Sequence, residues 1–125
     1  KKLDIKPGYT MIVLHAPDHY DKLLGELPED CTRLDTLAPE SADFIHLFCQ
    51  DREKLEELAP AAMVALKKTG MLWVSWPKGS SSLHTDLKRE PVRDFLLALG
   101  LVDIKVAAVD EDWSGLKFVY RKADQ

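Results

Sequence analysis

Leu66-Lys67-Lys68-Thr69-Gly70-Met71-Leu72-Trp73-Val74-Ser75-Trp76-Pro77-Lys78 decides the fold. It reads as a helix end, a glycine stop at Gly70, a buried strand from Met71 to Trp76, and a polar loop opened by a proline. Upstream, Leu55, Leu58, Ala59, Ala62, Met63 and Leu66 recur at helical spacing, with Asp51 as the N-cap. Pro60 lies inside that pattern and is expected to kink or restart the helix, because it removes a backbone donor. Downstream, Lys78-Gly79-Ser80-Ser81-Ser82 forms a loop, and a helix follows from Pro91 to Leu99, closed by Gly100.

The same alternation extends to both ends. Thr10 to His15 is a continuously apolar strand, as expected for one buried on both faces. Asp18 is placed as the N-cap of a short helix, with Asp21 at N3 and the end near Gly25. Cys31 to Leu37 and Ala42 to Cys49 read as two further strands. Asp103 to Val109 and Leu116 to Tyr120 flank a loop of Asp110-Glu111-Asp112-Trp113-Ser114-Gly115. That loop is too short for a crossover, so the last two strands are antiparallel. Strands alternating with helices imply an α/β fold. The expected form is a three-layer, Rossmann-like, mostly parallel sheet in spatial order 2-1-3-4-6-5, with the last strand antiparallel.

Composition sets broad bounds. The 125 residues fit one domain over 1–125, with 46% apolar and 30% charged residues. A net charge of -4 gives no electrostatic case for nucleic acid. No apolar run is long enough to span a membrane, and no signal peptide is evident, although the chain starts at Lys1 rather than Met. Cys31 and Cys49 are most simply free thiols in a reducing cytoplasm, with a disulfide between them left open. The expected location is cytoplasmic.

Several segments resemble class I methyltransferases. Thr32-Arg33-Leu34-Asp35 resembles that family's second strand, which ends in an acid that holds a cofactor ribose. Ala42-Asp43-Phe44-Ile45-His46-Leu47-Phe48, the run from Leu66 to Pro77, and the hairpin from Val102 to Val119 resemble its later strands. A helix and a strand of the family are missing between Asp35 and Asp43. A nearer resemblance covers almost the whole chain. Lys6-Pro7-Gly8-Tyr9-Thr10, Leu72 to Lys78 and Val109 to Val119 are similar to a group of small bacterial proteins classed only as a domain of unknown function.

The family's glycine-rich turn after the first strand is replaced by Leu14-His15-Ala16-Pro17-Asp18-His19. Without glycine the backbone is expected to stay away from a cofactor. A capping Asp18 carboxylate would also occupy the site of a ligand anion. On this reasoning S-adenosylmethionine is disfavoured. The expected function is then a non-catalytic, methyltransferase-shaped protein that binds a small ligand or a protein partner at the carboxyl edge of the sheet. The alternatives are a divergent S-adenosylmethionine-dependent transferase, with Asp35 on the cofactor, and a protein-interaction module.

Ligands of open α/β sheets sit at the carboxyl ends of the strands. The pocket candidates there are His15, Asp18, His19, Trp76, Lys78, Ser80, Asp110, Asp112 and Trp113. No spacing demands a metal. The loop after Lys78 has the groups to cradle a phosphate, with Lys88 and Arg89 as added charge, but lacks the P-loop pattern and reads equally as a linker. Ser75 and Ser114 sit in no nucleophile elbow. His46, inside a strand, is expected to be a hydrogen-bonded core histidine. Trp113 is expected to fold back over the sheet end or to anchor a partner.

Overall fold

The computed structural model describes residues 3–125. In chain order they form β1 (Thr10–Leu14), α1 (Tyr20–Leu24), β2 (Thr32–Leu34), β3 (Ala42–Phe48), α2 (Arg52–Ala65), β4 (Leu66–Pro77), α3 (Arg89–Leu99), β5 (Leu101–Ala108) and β6 (Trp113–Tyr120). A 3₁₀ turn at Lys122–Asp124 follows. The six strands make one sheet in the order β2-β1-β3-β4-β6-β5. β1, β2, β3 and β4 are mutually parallel. β6 runs antiparallel to both β4 and β5. This is the expected Rossmann-like sheet, and the segment from Asp35 to Ser41 joins β2 to β3 with no helix between them.

Alternation along the strands sorts side chains into two cores. Leu72, Val74 and Trp76 of β4 pack with Leu55, Ala59 and Ala62 of α2 and with Val92 and Leu96 of α3. Met71 and Trp73 face the other way, with Met11, Phe44 and Leu3. Tyr20 of α1 joins Phe48, Val109 and Trp113 on that second face. The three layers are therefore unequal: two long helices cover one face, and a five-residue helix plus the leading segment cover the other. That segment is fastened by the Trp73 indole N–H donating to the Leu3 carbonyl at 3.0 Å. It is also fastened by Asp4, paired with Lys105 and Lys117 at 3.1 and 3.0 Å.

The structure corrects the decisive stretch at one point. α2 ends at Ala65, and Leu66 already pairs with Ala42 as the first residue of β4. Gly70 is not the helix stop. The ladder slips between Ala42 and Phe44, whose partners are Leu66 and Met71, so residues 67–70 bulge out opposite Asp43. A Cβ on Gly70 would lie 2.8 Å from the Asp43 carbonyl and 3.1 Å from that of Ala42. Glycine is needed here because backbone approaches backbone, and neither carbonyl can rotate away.

Asp51 caps α2 as expected, its carboxylate accepting the Lys54 amide at 2.9 Å. Pro60 lies within that one continuous helix and does not restart it. The expected cap at Asp18 is not formed. α1 begins at Tyr20 with His19 at the N-cap position and no side-chain cap bond. Tyr20 sets this start: it is 2% exposed and is carried into the core by the turn before it.

Candidate functional site

The parallel strands bring one set of ends to a common carboxyl edge. It carries the β1 turn at 15–19, Asp35 after β2, the β3–α2 link at 49–51, the loop at 78–88, and the β5–β6 loop at 109–112.

The β1 turn reverses sharply without glycine. His15 adopts φ 57°, the left-handed conformation that a glycine would otherwise take. Histidine is among the residues that reach this region more readily than most. His15 and Asp18 are exposed, and Asp18 leaves the helix start uncapped. Asp35 is exposed directly beyond β2, the neighbour of β1, and enters no hydrogen bond or ion pair among the described residues. The carboxylate expected to block this edge is thus absent, and the turn reverses with His15 in the place of a glycine.

The remaining loops are tied to one another. His19 Nε2 and Asp110 Oδ2 are 2.7 Å apart, joining the β1 turn to the far hairpin. Asp110 Oδ1 accepts the amides of Asp112 and Trp113 at 2.8 and 2.9 Å. Partial burial alone would raise the Asp110 carboxyl. The His19 bond, the two amides and the His19 charge outweigh burial and hold it below the usual carboxylate value. The Asp112 carbonyl accepts the Lys78 amide at 2.8 Å, and its carboxylate accepts the Ser81 hydroxyl at 2.8 Å. Gln50 donates to the His84 carbonyl at 2.8 Å, drawing the 78–88 loop toward the end of β3. The hairpin acids are thus engaged in loop closure.

The tryptophans part company. Trp113 is the first residue of β6, pairs with Pro77, and lies edge-on to Phe48 with centroids 5.0 Å apart. At 8% exposure it folds back over the sheet end instead of offering an anchor to solvent. Trp76, one register position away, points to the opposite face and packs with the α2 and α3 core. They do not share one crevice with His15. Trp76 instead lines a cavity of about 580 Å³ together with Lys78, Ser82, Thr85, Lys88 and Arg89. Ser80 is exposed outside it. A separate cavity of about 430 Å³ lies between residues 3–5 and the end of α1, with none of the carboxyl-edge loops in its lining.

One polar constellation was only partly legible in the sequence. The Tyr20 hydroxyl lies 2.9 Å from His46 Nδ1, and His46 Nε2 lies 2.8 Å from Ser75 Oγ. His46 and Ser75 have no exposed surface. Burial pushes the His46 imidazole down to about 3, so the ring is neutral. A neutral ring donates through one nitrogen and accepts through the other, which satisfies the chain Tyr20–His46–Ser75 from end to end. Sealed from solvent, this Ser–His pair is structural and offers no nucleophile. The signal in the sequence was a histidine inside an apolar strand; its partners depended on which strands pair. Cys31 and Cys49 are free thiols, and burial together with the Asp51 charge pushes Cys49 up to about 12. Among the described residues no group of three or more His, Cys, Asp or Glu could hold a metal ion, and no helix is long and apolar enough to cross a membrane.

No protein-family model matches the sequence, and no curated protein does; the resemblance to the small bacterial group therefore stands unsupported by a family match. Solved structures do match. A SAM-dependent methyltransferase from Aquifex aeolicus superposes with a TM-score of 0.59 at 16% identity, over 93% of this chain and 84% of that one. A DhpI–SAH complex gives 0.65 at 9% identity, over 95% and 79%. Magnesium protoporphyrin IX methyltransferase from Synechocystis PCC 6803 with bound SAH gives 0.60 at 10% identity, over 92% and 75%. At these identities the likeness defines the class of fold, the methyltransferase-like Rossmann sheet. It also corrects the expectation that S-adenosylmethionine is disfavoured. Two of these proteins of the same fold hold SAH, and the Asp18 cap expected to block the edge is not formed.

Proposed function

We propose that the chain is a divergent S-adenosylmethionine-dependent transferase that holds its cofactor at the carboxyl edge, between the β1 turn and Asp35. The observation that carries this reading is the turn itself. His15 makes the left-handed reversal, and Asp18 leaves the helix start uncapped. Asp35 is exposed beyond the adjacent strand end, which supports a role for it as acceptor of a ribose hydroxyl. The β3–α2 link at Cys49–Asp51 would flank the nucleoside. When bound, such a cofactor supplies an activated methyl group on a sulfonium. The protein's part is to hold donor and acceptor in line, which by itself lowers a bimolecular barrier substantially. The non-catalytic reading gives way because the solved structures of this fold that match are SAM-dependent methyltransferases or hold SAH.

Calorimetric titration with S-adenosylmethionine tests this. A Kd in the micromolar range, about -8 kcal/mol, is expected. Asp35→Ala should weaken it by about 10- to 100-fold, the worth of a hydrogen bond to a charged group. Undetectable binding, or binding indifferent to Asp35→Ala, would sink the reading.

A further inference from the structure

The cavity beside Trp76 has a charge character that the rest of the molecule lacks. The protein carries a net charge of -4. Yet Lys78, Lys88 and Arg89 all line this one cavity, and no acid does. Several lysines and arginines elsewhere are matched, as in Arg33–Asp21, Arg52–Glu56, Lys67–Asp43 and Arg93–Asp103. Lys78, Lys88 and Arg89 enter no ion pair among the described residues. Of the neighbouring acids, Asp86 accepts the Arg52 amide at 2.8 Å, Asp110 and Asp112 close the hairpin, and Glu90 is exposed in the first turn of α3, outside the lining. Ser82 and Thr85 add hydroxyls to the lining. α3, eleven residues long, starts at this cavity with no side-chain cap, so its dipole adds positive potential of the same sign, offset in part by Glu90 in its first turn.

Three cations facing one concavity repel one another unless an anion joins them. At about 580 Å³ the cavity has the volume of a small-molecule site. Gln50, through its bond to the His84 carbonyl, ties the cavity loop to the end of β3, the neighbour of the β1 end where the cofactor is proposed. We propose that this cavity receives the oxyanion of a small-molecule acceptor, a phosphate or carboxylate group held by Lys78, Lys88 and Arg89. Its role as acceptor pocket rests on the transferase reading above; the anion site itself does not.

Amide chemical shifts of the ¹⁵N-labelled protein, followed during separate additions of inorganic phosphate, acetate and chloride at matched ionic strength, test it. Saturable shifts confined to Gly79, Ser82, Thr85 and Arg89 are expected with phosphate or acetate, and the stronger of the two names the oxyanion. The Lys78→Ala/Lys88→Ala/Arg89→Ala variant should bind at least about tenfold more weakly, since each charge-assisted contact is lost. Lys22→Ala/Lys122→Ala, which removes two cations elsewhere, should bind as the parent does. All three cavity side chains are outside the core, and Lys88→Glu alone offers a milder second test with the same expected direction. Equal binding by the triple variant, or shifts reproduced by chloride, overturns the proposal. S-adenosylmethionine binding without a saturable anion response removes the anion site and spares the transferase. An anion response without S-adenosylmethionine binding keeps the site and removes its role as acceptor pocket.

Discussion

Trp113→Ala is expected to lower stability by about 3–5 kcal/mol, the usual cost of removing a large buried aromatic. The side chain is 8% exposed and lies edge-on to Phe48, which in turn stacks on His46 at 4.2 Å and meets Tyr20 edge-on at 5.4 Å. Alanine keeps the backbone amide that Asp110 accepts, so the turn can still close while the space beneath it empties. That separates packing from turn chemistry. Trp113→Phe should recover much of the loss, because aromatic contact with Phe48 survives at smaller volume. Urea unfolding monitored by circular dichroism measures both variants. A loss below about 1 kcal/mol for Trp113→Ala would show that the tryptophan is not the peg of the β5–β6 loop.

The second large effect is on pH. His46 is held neutral in the folded protein, at about 3, against 6.5 for an unhindered imidazole. Below pH 6.5 the unfolded chain binds a proton that the folded chain refuses. Stability therefore falls as the pH falls, by about 1.4 kcal/mol per unit, and the loss continues until the pH reaches the folded value. Between pH 6.5 and 4.5 this amounts to about 2.3 kcal/mol, because the imidazole of the unfolded chain is only half protonated at the upper end. That window lies above the range in which Asp4 and Asp110, both held low by their partners, give up their own contribution. His46→Gln should be less stable at pH 7, because it disturbs the Tyr20–Ser75 chain, but its stability should be nearly flat across the window. Parallel slopes for parent and variant would show that the acid sensitivity lies elsewhere.

The sheet order was readable because buried parallel strands, the glycine-closed helix at Gly100 and a short final loop leave few ways to connect the elements. The boundary at Leu66 was not. Its helical spacing is real, but pairing with Ala42 outweighs it and draws the residue into β4. Gly70 signalled a special backbone position without saying which, since helix stops and close backbone approaches both call for glycine.

The carboxyl edge that carries the candidate site was legible in the sequence, and its detail was not. Asp35 was marked by the resemblance of Thr32 to Asp35 to a methyltransferase second strand, and β2 ends at Leu34, directly before it. The His15 turn was not marked, because a left-handed histidine leaves no sign in the sequence. Asp18 is a good capping residue by type, yet the burial of Tyr20 shifts the helix start beyond its reach. The sequence pattern sets Trp76 and Trp113 together as pocket walls by starting the last strand at Leu116; β6 begins three residues earlier, at Trp113, which puts them on opposite faces. Lys88 and Arg89 read as a solvated helix start until the cavity set them beside Lys78.

A crystal structure of the protein grown with S-adenosylhomocysteine tests the central claim most directly. The account predicts the nucleoside across the carboxyl ends of β1 and β2, with its ribose hydroxyls on the Asp35 carboxylate and backbone from the His15 turn against it. Nucleoside density at any other place, or crystals from a saturating solution with that edge closed to it, would contradict the account.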